Sequence, residues 1–165
     1  MEHILIIGGG GTGAALAHDL VLRGFTVSLF EKGEFFSGTT GRHHGLLHSG
    51  GRYAVDDPEA ARECIEENMI LRRLTPQAIE QNEGLFVALT EEDVEFSQRF
   101  LAACEVSEIP TRVLSPRQAL AMEPELHPEI KFAVQVPDAA FDAWRLPLHF
   151  LATAQVNGAE LRHFT

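Results

Sequence analysis

Cysteine, basic residues and long apolar runs are all scarce in this sequence. Cys64 and Cys104 are its only cysteines. Each lies in a stretch patterned as an amphipathic helix and neither has a CxxC partner, so buried reduced thiols are expected rather than a disulfide framework or a thiolate metal site. Lys and Arg together number 13 against 24 Asp and Glu, a net charge of -11. Such a surface repels polyanions at long range, which argues against nucleic acid or a broad anionic membrane surface as a partner. It leaves room for a local anion site made of backbone N–H groups and a few arginines. No apolar stretch approaches the roughly 18 residues of a spanning helix, and Ile4–Ile7 is too short and lacks the basic flank of a secretion signal. A cytosolic location is expected. His3, His18, His127, His149 and His163 are scattered without metal-ligand spacing, and no metal site is expected.

What is present is ordinary in amount and specific in arrangement. With 165 residues, 45% hydrophobic and 22% charged, the chain has material for one folded domain with a real core and too little for two comfortable ones. Ile4–Ile7 is a continuous aliphatic run, the pattern of a strand buried on both faces of a parallel sheet. Ala14–Arg23 reads as a helix with Gly24 as its stop, and Thr26–Phe30 as a second strand ending at Glu31. Between the first strand and the helix stands Gly8-x-Gly10-x-x-Gly13. In such a β-α-β unit the first glycine permits the tight turn, the second lets backbone approach a pyrophosphate, and the third lets helix and strand pack closely. The helix N-terminus offers N–H groups to the phosphates. Glu31, about 20 residues on, is placed to accept the adenosine ribose hydroxyls and disfavours a 2′-phosphate. The motif therefore predicts an adenine dinucleotide, NAD or FAD, and makes NADP improbable.

After Glu31 a short loop and a third parallel strand would suit a simple dehydrogenase. Instead a long aperiodic segment runs from Gly33 to Tyr53, rich in glycine, threonine and histidine, and its length points to function. Phe35 and Phe36 at its start are expected to pack on the sheet. Pro58–Leu74 is expected as a helix with Ala61, Cys64, Ile65, Asn68 and Leu71 on one stripe. Short elements follow: a strand at Leu85–Leu89, a helix opened by a Thr90/Asp93 capping box, and a strand at Thr111–Leu114. A second box at Ser115/Gln118 opens a helix that stops before Pro124; then come a strand at Lys131–Val136, a helix from Asp142 and a strand starting at Glu160.

Together the glycine fingerprint, the segment GTTGRHHGLLHSGGRYAV and the helix ARECIEENMIL resemble FAD-dependent glycerol-3-phosphate dehydrogenases of the anaerobic bacterial type, within the D-amino-acid-oxidase-like (DAO) flavoproteins. The GLFVAL and VPDAAFDAWRL stretches extend the resemblance along the chain. It implies an α/β fold: a Rossmann-like FAD-binding domain (GR2/DAO type) over residues 1–80, the start of an α+β substrate or cap domain over 81–140, and a helix and strand returning over 141–165. The fold would be incomplete, since family members are longer, and the piece alone is expected to bind FAD weakly or not at all.

The resemblance also implies roles. Gly8, Gly10, Thr12 and Gly13 would hold the pyrophosphate, Glu31 the ribose, and Lys32 the adenine end. Thr39 and Thr40 would face the pyrophosphate, and His44, Gly45, Leu46 and Leu47 would run beside the isoalloxazine. His43-His44 departs from the smaller polar residues of relatives. The implied reaction is oxidation of the C2 hydroxyl of glycerol 3-phosphate, with hydride passing to flavin N5. His48 is the candidate base, since an unperturbed imidazole titrates near ~6.5. Arg52 is the candidate cation for phosphate or oxyanion. The alternatives are a loop-organising histidine and a loop-fixing ion pair. A quinone, reached through partner subunits at the inner face of the cell membrane, would take the electrons. Rival readings are another DAO oxidoreductase acting on a 2-hydroxy acid or amine, an inactive remnant, and a plain NAD dehydrogenase.

Overall fold

The computed structural model of the protein describes residues 2–165. In chain order its elements are β1 (His3–Ile7), α1 (Gly11–Leu22), β2 (Thr26–Glu31), β3 (Leu46–Leu47), α2 (Pro58–Leu74), β4 (Ile79–Glu80) and β5 (Gly84–Ala88). These are followed by α3 (Glu91–Val106), β6 (Arg112–Leu114), α4 (Pro116–Met122), β7 (Phe132–Val136), β8 (Ala139–Phe141), α5 (Arg145–Val156) and β9 (Glu160–His163). Contacts divide the chain into two compact units: one comprises the segments up to Gly45 and from Phe141 onward, the other Leu46–Ala140. The sequence expectation drew its first boundary at residue 80, whereas the contact boundary follows Gly45 and leaves α2 with the strands after it.

The first unit carries a parallel sheet in the order β1-β2-β9. Ile4 pairs with Val27 and Ile6 with Leu29, and the helix between the two strands returns the chain to parallel register. Ala14 and Ala17 are fully buried and let α1 lie close to the strands and to α5. Gly24, at φ 87°, takes the left-handed conformation that ends α1. Asp142 caps α5, its Oδ1 accepting from the Trp144 and Arg145 N–H groups at 2.9 Å, so the helix begins three residues later than its sequence signal.

Within the described residues β1 is covered on one face rather than on the expected two: Leu5 is 64% and Ile7 92% exposed. β1 is the edge of this sheet, and only the face carrying Ile6 joins the cluster formed with Ala14, Leu29 and Leu151.

In the second unit β7 pairs antiparallel with β5 and β6, and a smaller sheet runs β3-β8-β4. β4 and β8 are too short to leave a periodic signal. Ala61 and Ile65 from α2, Phe100 and Cys104 from α3, and Val134 and Val136 from β7 form its main core. Both expected capping boxes are present, at Thr90/Asp93 and Ser115/Gln118. Burial pushes the Cys104 thiol up to about 11, as suits an inert core sulfur.

Candidate functional site

The glycine loop is shaped by sterics at two points. Gly8 has φ 109°, a conformation that side chains rarely adopt. At Gly13 a Cβ would sit 2.0 Å from the Gly8 carbonyl oxygen, so any side chain would force the first turn of α1 off the loop. Gly10 is different. Its backbone is ordinary extended chain (φ -78°, ψ -176°), and a Cβ there would meet only the Thr40 hydroxyl, at 3.3 Å. Gly10 also precedes α1 without any side-chain cap. The Thr12 and Gly13 N–H groups, which precede the first Ala14-to-Gly10 helical bond, have no acceptor within the helix. This N-terminus suits an anion.

Glu31 and Thr40 join the loop from either side. Glu31 Oε2 accepts from the Gly9 N–H at 2.8 Å and Oε1 from the Gly33 N–H at 2.9 Å. Those bonds, Gly33's foremost and then Gly9's, hold the Glu31 carboxyl below the ordinary carboxylate range. A carboxylate has about four lone-pair sites, so two remain for ribose hydroxyls. Thr40 Oγ1 accepts from the Gly11 N–H at 2.8 Å, leaving its own O–H to donate. Thr40 lies in a single 3-10 turn, Thr39–Arg42, with Thr39 and Lys32 exposed beside the loop segment.

Phe36 anchors that segment. It sits at φ 63° and is 1% exposed. The unfavourable backbone costs about 1–2 kcal/mol and burying the ring returns about 2–3 kcal/mol. Its carbonyl accepts the Gly41 N–H, and its ring meets Trp144 edge-on. His43 is structural: Nδ1 accepts from the Gly45 N–H at 2.9 Å and the ring packs on Phe141. His44 is exposed.

The second unit holds the other candidates. Leu46 and Leu47 pair with Ala140 and Ala139 as β3 and β8. His48 follows at once, its side chain 24% exposed, with Nδ1 3.4 Å from Asp138 Oδ2 and Nε2 buried. Asp138 Oδ1 accepts from the Ser49 N–H at 2.6 Å. Gly50, at φ 90°, bends the chain hard against Ala61, where a Cβ would lie 2.3 Å from its carbonyl oxygen. Arg52 is exposed on the turn that follows.

Three residues here escaped sequence reading as site residues. Asn68, fully buried, directs Nδ2 to the carbonyl oxygens of Leu47, His48 and Pro137 at 3.1–3.2 Å. Its Oδ1 accepts from Arg72 Nε at 2.7 Å. Arg72 Nη2 donates in turn to the Pro137 and Asp138 carbonyls at 2.7 and 3.1 Å. The available signal was an asparagine on the apolar stripe of α2, with an arginine four residues on. Asp138 left none, since its partners are 89 and 90 residues away in the chain.

The profile of the FAD dependent oxidoreductases (DAO) matches residues 3–165. The chain belongs to this family. It is 49% identical over 158 residues to a subunit of the anaerobic glycerol-3-phosphate dehydrogenase of Haloferax volcanii, covering 96% of this chain and 27% of that one. To the corresponding protein of Escherichia coli, also named as a subunit of the anaerobic glycerol-3-phosphate dehydrogenase, it is 47% identical over 156 residues, 94% of this chain and 29% of the other. The chain thus spans between a quarter and a third of the length of these curated relatives. The L-α-glycerophosphate oxidase of Mycoplasma pneumoniae, solved with FAD bound, shares the fold, with a TM-score of 0.80 at 24% identity over 100% of this chain and 46% of that one.

Membership of the DAO family settles the choice the motif left open. The family's cofactor is FAD, and a plain NAD dehydrogenase is set aside. The residues present fit FAD: the uncapped N-terminus of α1, the tight turn that Gly8 and Gly13 permit, the Thr40 hydroxyl and the ionised Glu31 match a pyrophosphate and a ribose in charge and donor set.

Proposed function

We propose that this chain is the part of a glycerol-3-phosphate dehydrogenase that holds the pyrophosphate and ribose of FAD and contributes two groups to the oxidation of the substrate. The observation that carries the substrate is identity of 47–49% over 94–96% of this chain to two proteins that each bear the name of an anaerobic glycerol-3-phosphate dehydrogenase. Gly8, Gly10, Thr12, Gly13, Thr39 and Thr40 hold the pyrophosphate in this reading, Glu31 the ribose, and Lys32 the adenine end. His44, Gly45, Leu46 and Leu47 run beside the ring system. Bound FAD supplies the hydride acceptor, at N5.

His48 takes the C2 hydroxyl proton as the C2 hydride leaves, so the alcohol becomes a ketone and dihydroxyacetone phosphate is the product. Arg52 presents a planar cation suited to the phosphate of the substrate. The electrons pass on to a quinone through partner subunits at the cytoplasmic face of the membrane; both relatives are named as one component of a larger enzyme, which supports such partners.

One observation favours a second reading of His48: its Nε2 is buried and its Nδ1 is turned to Asp138, which suits a histidine that organises its loop. His48→Asn separates the two. As the base, its loss lowers turnover by ~10²-fold or more with flavin retained; as an organiser, turnover stays near wild type. The substrate itself is tested by anaerobic mixing of the flavoenzyme with glycerol 3-phosphate, 2-hydroxyglutarate and amino acids. Bleaching of the flavin by glycerol 3-phosphate alone is expected, and bleaching by one of the others instead overturns the reading.

A further inference from the structure

Asp138 faces His48 with an oxygen whose identity is fixed from outside the pair. Its Oδ1 is committed to the Ser49 N–H at 2.6 Å, and a backbone N–H can only donate. Oδ2 is therefore the atom presented to His48 Nδ1. The backbone of Asp138 is held as firmly. Arg72 donates to the carbonyls of Pro137 and Asp138, and Asn68 binds Pro137, Leu47 and His48 at once. The amide of Asn68 has only one possible orientation, because Arg72 offers its Oδ1 nothing but a donor. Two N–H bonds serve three carbonyls, so one is shared. The strands on either side of the pair are thereby tied to a single buried side chain.

We infer that Asp138 is a positioning residue that sets the tautomer of His48, with Asn68 and Arg72 holding it in place: Nδ1 carries the proton toward Oδ2 and Nε2 carries the lone pair. An acceptor opposite one ring nitrogen fixes the proton there and leaves the other nitrogen basic. The 3.4 Å separation is at the long end for a hydrogen bond, as it often is in ligand-free sites.

Asp138→Asn is a sharp test because the same geometry constrains the variant. The Ser49 N–H demands the amide oxygen, so the amide nitrogen must face His48 and donate into Nδ1, which forces the proton to Nε2. The experiment is 15N NMR of histidine-labelled, FAD-loaded enzyme at alkaline pH, with His48 assigned by comparison with His48→Asn. The wild-type ring is expected as Nδ1–H, Asp138→Asn as Nε2–H, and Asp138→Glu, which restores an acceptor, as Nδ1–H. A wild-type Nε2–H ring, or a tautomer unchanged in Asp138→Asn, overturns the inference. Should Asp138→Asn fail to fold, the wild-type tautomer decides alone.

The kinetic consequence rests on the function proposed above. If His48 is the base, Asp138→Asn lowers the rate of flavin reduction by about 10²-fold or more, with KM nearly unchanged, and adds nothing in a His48→Asn background. A flipped tautomer with unchanged turnover keeps the inference and removes His48 from the chemistry. An unflipped tautomer removes the inference and leaves the proposed reaction standing.

Discussion

The glycine loop and the surroundings of His48 are built on opposite principles. In the first unit the chain's own backbone forms the site. Gly8 is there for its positive φ and Gly13 because no side chain fits, and the groups offered outward are N–H donors at the start of α1. In the second unit side chains form the candidate site: Asp138 and Asn68 meet His48 from segments far apart in sequence, and Arg72 braces both of them. A backbone site tolerates change in what surrounds it and none in its glycines. A side-chain network tolerates isosteric exchange but not the loss of its buried hub.

The sharpest break in the first region is Gly13→Val. Its Cβ would overlap the Gly8 carbonyl, and a loss of about 3 kcal/mol with no retained flavin is expected, read by thermal unfolding and by the absorbance of the purified full-length flavoenzyme. Next comes the hub of the second region. Asn68→Ala takes the Asn68 donor from the Leu47 and His48 carbonyls and the acceptor from Arg72 Nε, and leaves the Pro137 carbonyl to Arg72 Nη2 alone, at a cost of about 2–3 kcal/mol in denaturant unfolding, while the glycine loop is untouched. An unchanged midpoint would show that the network is not what holds these strands.

The two regions differed in legibility for the same reason. The fingerprint could be read because its glycines and Glu31 meet within one β-α-β unit of local contacts. The capping boxes at Thr90 and Ser115 were equally plain, each confined to one helical turn. The double burial assigned to β1 was not, because an aliphatic run shows how much apolar surface exists and not what covers it; Ile7 stands 92% exposed. Asp138 could not be read at all, since an aspartate after Val136-Pro137 looks like any turn residue until Ser49 and His48 arrive opposite it.

Two smaller effects refine the contrast. Thr90→Ala removes a helix cap that bonds to no residue of either candidate site and should cost about 1 kcal/mol with flavin content unchanged. Glu31 contributes through its charge. Its carboxyl is held below the ordinary 4.5 by the Gly33 and Gly9 N–H groups, so it binds fewer protons folded than unfolded. Its contribution is present above that value and lost as pH falls through the lower, folded one. The difference in unfolding temperature between wild type and Glu31→Gln should therefore be constant near neutrality and close below about pH 4.5. A gap that persists in acid would mean the carboxylate's bonds are not what separates the two proteins.

The division of labour is tested most directly by measuring flavin content and anaerobic reduction by glycerol 3-phosphate on Gly10→Ala and His48→Asn side by side, each made in the full-length flavoenzyme. Gly10→Ala meets nothing but the flexible Thr40 hydroxyl, so it should fold normally yet bind FAD at least about 10-fold more weakly. His48→Asn should keep its flavin and lose its reduction by the substrate. Wild-type FAD affinity in the first, or wild-type reduction in the second, would contradict the account of that region.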